Sequence, residues 1–285
     1  MLLAAFCGVL SCLGIMTSNA KELAYRYDLF ITPEWRDRFD TLINESIEMP
    51  TEGRILDVNS GTGAHAIELA ERMRGKGEVI GIDPSAERLD LARAKAQVKK
   101  IADVSFEQGN APPLRFADRE FDGVIGDASL LHTGEIEPLL GELVRVAEVD
   151  APVVLKLATY GSFGEFFSIY WEALHDAGID EQVWARLEAL INGLPTISEA
   201  EGMGERAGLR DLQSFSSVEE FAFESGEAFL DSPLIKDTFL DEWLAILPAE
   251  RREEVSRRIA AIIDRERHDT DFDVSIKATL IAGHR

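Results

Sequence analysis

Arg54-Ile-Leu-Asp57-Val-Asn59-Ser-Gly61-Thr-Gly63 joins a short apolar strand pattern, Arg54–Val58, to a helical one that begins near Ala64, with Ile67, Ala70 and Met73 on one face. Glycines at such a junction remove Cβ atoms where the backbone must turn sharply, and they let a ligand approach the helix N-terminus closely. Twenty residues after Gly63, the run Ile80-Gly-Ile-Asp83-Pro84 ends a second strand on a carboxylate, placed to accept hydrogen bonds from ribose hydroxyls. The turn alone is a weak signal. The turn and Asp83 together, each at the end of a predicted strand, describe a nucleoside site.

The same rhythm continues outward. Strand-type runs recur at Glu78–Ile82, Val104–Glu107, Phe121–Ile125 and Val153–Leu157, and helical patterns fall at Ser85–Lys100 and Glu135–Ala147. Strand and helix alternating in this way form βαβ units, which require a parallel sheet covered by helices on both faces. Upstream, Trp35, Phe39, Leu42 and Ile43 form the stripe of a helix from Pro33 to Glu48, with Thr32 as its expected cap. Downstream the chain turns mostly helical, with Ser198 expected to cap a short helix ending at Gly208. Leu209–Phe223 and Phe272–Ala282 alternate as two further strands. Leu240, Trp243, Leu244 and Leu247, then Val255, Ile259, Ile262 and Ile263, mark helices between them. The expectation is an α/β, doubly wound, mostly parallel seven-stranded sheet with helical cap segments at about 162–197 and 225–268.

Composition narrows the function. The chain has 285 residues, 46% hydrophobic and 28% charged, with a formal charge of −23 and no basic patch. Nucleic acid and anionic lipid surfaces are therefore excluded as expected partners. Cys7 and Cys12 are the two cysteines, and His65, His132, His175, His268 and His284 are scattered, so no metal site is expected. Residues 1–20 carry no charged side chain. They read as an apolar extension, either an over-long start preceding Met16 or a signal or anchor. Its run of ~15 apolar residues is short of the ~20 that span a bilayer, so stable membrane insertion is not expected. Residues 21–285 are expected to form the functional domain.

Two cofactor readings compete. Gly61-Thr-Gly63-Ala64-His65-Ala66 fits the permissive G-x-G-x-x-A fingerprint of NAD(P)-dependent oxidoreductases. Asp57 argues against it, because a carboxylate in the turn region would crowd a pyrophosphate but suits a cationic group. A methionyl sulfonium with its α-amino group supplies such a cation. From about Tyr25 to the C-terminus the chain resembles the class I S-adenosylmethionine-dependent methyltransferases, in the small-molecule branch similar to ubiquinone/menaquinone-biosynthesis enzymes. The resemblance rests on Leu56–Gly63, Ile82-Asp83-Pro84, Gly109-Asn110-Ala111 and Phe121–His132. It implies the Rossmann-like methyltransferase fold with an antiparallel last strand. Asn59 stands where the family usually has glycine, and asparagine tolerates the left-handed backbone better than most residues. Asn110 replaces a commoner aspartate but keeps an acceptor oxygen.

The resemblance implies S-adenosyl-L-methionine as cofactor, held by Tyr27, Asp57, Asn59, Gly61, Gly63, Asp83, Pro84, Asn110, Ala111 and Asp127. The acceptor is expected to be a small molecule in the cytoplasm, methylated by in-line displacement. His132, just past the fourth strand, is the first candidate base, with a loop histidine packed on the cofactor as the equal alternative. Asp127 and Tyr160 are the other catalytic candidates. A binding module that holds S-adenosylmethionine without turnover is the third reading, and the oligomeric state is open.

Overall fold

The computed structural model describes residues 19–266 and 270–285. Expectations about residues 1–18 and His268 lie outside the described residues. A helix runs from residue 19 to Ser46. Its middle, Tyr27–Arg36 (α1), has wide π turns, and Asp37–Ser46 (α2) is regular. The helix does not start at Pro33, and Thr32 is not its cap. Pro33 sits inside α1, and the Asp37 N–H donates to the Thr32 carbonyl five residues back, a wide turn of the kind π-helices use.

The sheet follows with β1 (Gly53–Val58), α3 (Ala64–Met73), β2 (Gly77–Asp83), α4 (Ala86–Lys99), β3 (Val104–Gln108), β4 (Gly123–Asp127), α5 (Thr133–Val146) and β5 (Pro152–Ala158). Its order is β3-β2-β1-β4-β5-β7-β6. The strands β1 to β5 are parallel, and β7 (Phe272–His284) runs antiparallel between β5 and β6 (Arg210–Phe223). Because both faces are covered, β1 is apolar on both sides: Ile55 packs with α2, α3 and α4, whereas Leu56 and Val58 pack with α5 and α8 (Ile197–Ala207). The fourth strand starts two residues later than its apolar run predicts. Glu120 and Phe121 donate to the Val146 carbonyl at the end of α5, which leaves Phe121 in a single bridge to Ala147. Thr196, rather than Ser198, caps α8, in a reciprocal pair with Glu199.

The ribbon of β6 and β7 is longer than the rest of the sheet. Ala158, the last residue of β5, pairs with Ala278, so Phe272–Lys277 and Val218–Phe223 project beyond the carboxyl end of β5. Around this projection gather α6 (Gly164–Asp176), α7 (Glu181–Ile191), α9 (Gly226–Asp231), α10 (Pro233–Lys236), α11 (Leu240–Ala245) and α12 (Arg252–Glu266). Trp35, Phe39, Phe166, Phe229, Trp243, Ile259 and Ile276 belong to one continuous apolar cluster that binds cap, ribbon and α1–α2 together. The cap thus stands over the carboxyl ends of the parallel strands, the side where open α/β sheets bind ligands.

Candidate active site

The turn after β1 is held by backbone conformations that few side chains tolerate. Asn59, Gly61 and Gly63 all have positive φ, at 58°, 59° and 75°. A Cβ on Gly63 would lie 2.5 Å from the Phe106 ring, so α3 could not approach β3 as it does with any larger residue. Asn59 donates from Nδ2 to the Asp127 carbonyl at 2.8 Å, which ties the turn to the tip of β4.

Asp83 organises the neighbouring strand end. One carboxylate oxygen accepts from the Gly61 N–H and the other from the Ser85 N–H, both at 2.9 Å. Ser85 in turn caps α4. A carboxylate offers about four lone-pair sites, so Asp83 keeps acceptor capacity after both bonds. It lines a cavity of about 340 Å³ together with Tyr27, Arg36, Asn59, Pro84 and Asp127. That volume lies near the lower end of the ~300–1,000 Å³ usual for small-molecule sites. The Arg88 guanidinium stacks 3.8 Å from the Tyr27 ring centre, and the Tyr27 hydroxyl accepts from Arg36 Nη1 at 3.1 Å. Across the roof, Arg26 grips Asp237 through two hydrogen bonds of 2.8 and 3.1 Å.

Below the cavity lies a buried ionic cluster. Asp127 Oδ2 is 3.2 Å from Arg36 Nη2 and 3.3 Å from Lys156 Nζ, while Oδ1 accepts from the Ser129 N–H and hydroxyl at 2.9 and 2.6 Å. Burial alone would raise the Asp127 pKa. Arg36, Lys156 and the Ser129 hydrogen bonds outweigh it and bring the pKa down to about 2. Lys156 also donates to Asp40 at 2.7 Å, and His65 Nδ1 lies 3.4 Å from the same Asp40 oxygen. Burial works against charge on Lys156, yet Asp40 and Asp127 hold its pKa above the ordinary value.

Asp57 occupies a place the turn pattern does not reveal. It is fully buried within β1, neither carboxylate oxygen has a hydrogen-bond partner, and it is not on the cavity wall. Burial pushes its pKa up, against the pull of Lys156, His65 and Arg36. Of the expected cofactor-binding residues, Asn59, Asp83 and Asp127 line the cavity, whereas Asp57, Gly61 and Gly63 do not. Gly63 likewise serves the packing of α3. Asn110 is exposed and Ala111 half-buried on the turn after β3, where Gly109 N–H donates to the Asp83 carbonyl; neither lines the cavity.

A second cavity of about 260 Å³ adjoins the first, sharing Leu130, Leu131 and Thr238 with it. His132 stands on its wall, 72% exposed, with Nδ1 3.5 Å from Glu242 Oε1. Tyr160 lines neither cavity. It is exposed beyond β5 and bonded through its N–H to the Pro195 carbonyl, which corrects its expected place beside the reacting groups.

Sequence reasoning overlooked Arg36, Asp40, Arg88 and Lys156. Lys156 was open to detection, since a lone charge inside Val153–Leu157 must find a buried partner. Arg36 and Asp40 stand four apart on a face flanked by Trp35 and Phe39, a weaker sign.

Comparison with known proteins supplies the family. The profile of a methyltransferase domain matches residues 51–157. The demethylmenaquinone methyltransferase of Thermus thermophilus is 35% identical over 161 residues, covering 53% of this chain and 70% of that protein. This chain belongs to the S-adenosylmethionine-dependent methyltransferases. The Deinococcus radiodurans demethylmenaquinone methyltransferase is 34% identical over 143 residues, and the match spans 49% of this methyltransferase and 55% of that one. The fold of this methyltransferase also matches the solved YcgJ protein of Bacillus subtilis, with a TM-score of 0.57 at 20% identity, over 87% of this chain and 98% of that chain. The dinucleotide reading of the glycine turn gives way to the family. Among the described residues no helix is long and apolar enough to cross a membrane, and no group of three or more His, Cys, Asp or Glu side chains could hold a metal ion.

Proposed function

We propose that residues 21–285 form a domain that transfers a methyl group from S-adenosyl-L-methionine to a small-molecule acceptor, in the cytoplasm. The observation that carries this reading is Asp83, whose two oxygens fix Gly61 and Ser85 and still face the first cavity with acceptor capacity for ribose hydroxyls. When bound, the cofactor supplies an activated methyl carbon on a cationic sulfur.

Asn59 and Asp127, which line the cavity, receive the methionine part beside the Gly61 turn. Pro84 and the turn of Asn110 and Ala111 flank the adenine end. Tyr27, held by Arg36 and Arg88, closes the site from above. Beneath it, Arg36 and Lys156 pair with Asp40 and Asp127, which fixes the Asp127 carboxylate at the cavity wall. Alignment and exclusion of water do most of the work, since fixing two reactants in place is worth ~7–11 kcal/mol of barrier. His132, on the wall of the adjoining second cavity, takes the acceptor's proton where one must leave.

Calorimetric titration tests the reading directly. S-adenosylhomocysteine binds with a Kd in the micromolar range, NADH does not, and incubation with labelled S-adenosylmethionine and an acceptor yields S-adenosylhomocysteine. Binding of NADH with no response to S-adenosylhomocysteine overturns it.

A further inference from the structure

The second cavity has a composition that selects its ligand. Phe163, Phe167, Phe239 and Trp243 wall it, and their rings lean on one another, with centroids 4.9 Å apart for Phe163 and Phe239, 5.1 Å for Phe163 and Trp243, and 5.3 Å for Phe239 and Trp243. Rings locked in this way make a wall that is formed before a ligand arrives. Neither lysine nor arginine lines the cavity, and its one carboxylate is Glu242. A carboxylate or phosphate on the ligand would lose its water with no counter-ion to replace it, beside a like charge.

The polar groups are as informative. His132 Nδ1 lies 3.5 Å from Glu242 Oε1, so an imidazole and a carboxylate stand side by side on the cavity wall. A neutral imidazole has one ring nitrogen that can accept a proton. A neutral amine attacks carbon without first losing a proton, whereas a hydroxyl must shed one as its oxygen bonds to carbon, so a paired base suits a hydroxyl.

Resting on the reading of the first cavity as the cofactor site, we propose that the second cavity is the acceptor site and takes a compact, uncharged, ring-sized molecule bearing a hydroxyl group, while rejecting anionic acceptors. In the transfer, the hydroxyl oxygen forms the new bond to the methyl carbon, the electron pair of the broken carbon–sulfur bond stays on sulfur, and the hydroxyl proton passes to the His132 imidazole and on to solvent across its exposed side. Glu242, which touches His132, is a positioning residue and an electrostatic filter.

The test uses the full chain saturated with S-adenosylhomocysteine, titrated by calorimetry with 4-methylphenol, toluene and 4-hydroxybenzoate. Expected is binding of 4-methylphenol about tenfold tighter than of either other probe. Leu194→Trp and the milder Ala189→Trp, both on the cavity wall, abolish it while S-adenosylhomocysteine affinity stays unchanged, which also shows that they fold. His132→Leu removes the advantage over toluene, and Glu242→Gln narrows the gap to 4-hydroxybenzoate. Equal binding of 4-hydroxybenzoate, no binding of 4-methylphenol, or binding indifferent to both tryptophan variants overturns the proposal. Failure of S-adenosylhomocysteine itself to bind instead overturns the reading of the first cavity, so the two failures are distinguishable.

Discussion

Arg36 Nη2 lies 3.2 Å from Asp127 Oδ2, both side chains almost wholly buried, and this contact links the N-terminal helix to the tip of β4 at the cavity wall. Breaking one half of a buried pair leaves the other charge uncompensated, at a cost of about 3–5 kcal/mol. Arg36→Met is expected to lower unfolding free energy by that order in urea titration, and Arg36→Met with Asp127→Leu to recover part of it. The pair also sets an acid limit. The folded pKa of Asp127, about 2, lies below its unfolded value of 3.8, so its contribution is complete above pH 4 and fades as pH falls towards 2. Acid unfolding of wild type but not of an Asp127→Asn variant should steepen in that window, and identical acid profiles would contradict the assignment.

Asp83 fixes the turn through Gly61 and Ser85 and is the residue proposed to hold the ligand's ribose. Hydrogen bonds to a charged group are each worth about 1.5–3 kcal/mol. Asp83→Asn is therefore expected to weaken S-adenosylhomocysteine about 10- to 100-fold by calorimetry. Unchanged affinity in a variant that melts like wild type would remove Asp83 from the site.

Gly63 is required by space as well as by φ. Gly63→Ala places a methyl 2.5 Å from Phe106 at a φ of 75°. Overpacking costs ~1–3 kcal/mol, and left-handed strain adds to it. Thermal unfolding should show the loss, with Phe106→Leu in the same chain restoring part of it. Additive losses in the double variant would show that the ring is not the obstacle.

Asp57 offers a reciprocal experiment. Its folded pKa is raised, so as pH climbs from the usual carboxylate range to the folded value the native state gives up its proton less readily than the unfolded chain does, and stability is lost there. Asp57→Asn has no such proton. Its melting temperature relative to wild type should rise as pH climbs above the usual carboxylate range. A constant deficit across that range would mean that the carboxylate has a partner.

The sheet was legible because each βα unit announces itself locally, through the apolar runs and the glycines at 61 and 63. Asp83 was legible for the same reason, as a carboxylate at a predictable strand end. The buried cluster was not. Arg36, Asp40, Asp127 and Lys156 meet only after α1, α2, β4 and β5 have packed, and no local pattern encodes a pairing across 116 residues such as that of Lys156 with Asp40. Tyr160 misled for a related reason: the end of β5 marks a position along the strand, whereas the chain's path after Ala158 decides which way the ring points. Pro33 misled because the rule that proline opens helices assumes α geometry, and wide π turns accommodate it in the interior.

Phe223 and Phe272 face each other in register at the far end of the long ribbon, so the excursion between them leaves and rejoins the sheet at adjacent points. That excursion brings Thr238, Phe239, Glu242 and Trp243 to the second cavity without contributing a strand. It is a cassette: exchanging it for one of another length would reshape the second cavity and the Asp237–Thr238 edge of the first, while the strand ends that carry Asn59 and Asp83 lie outside it.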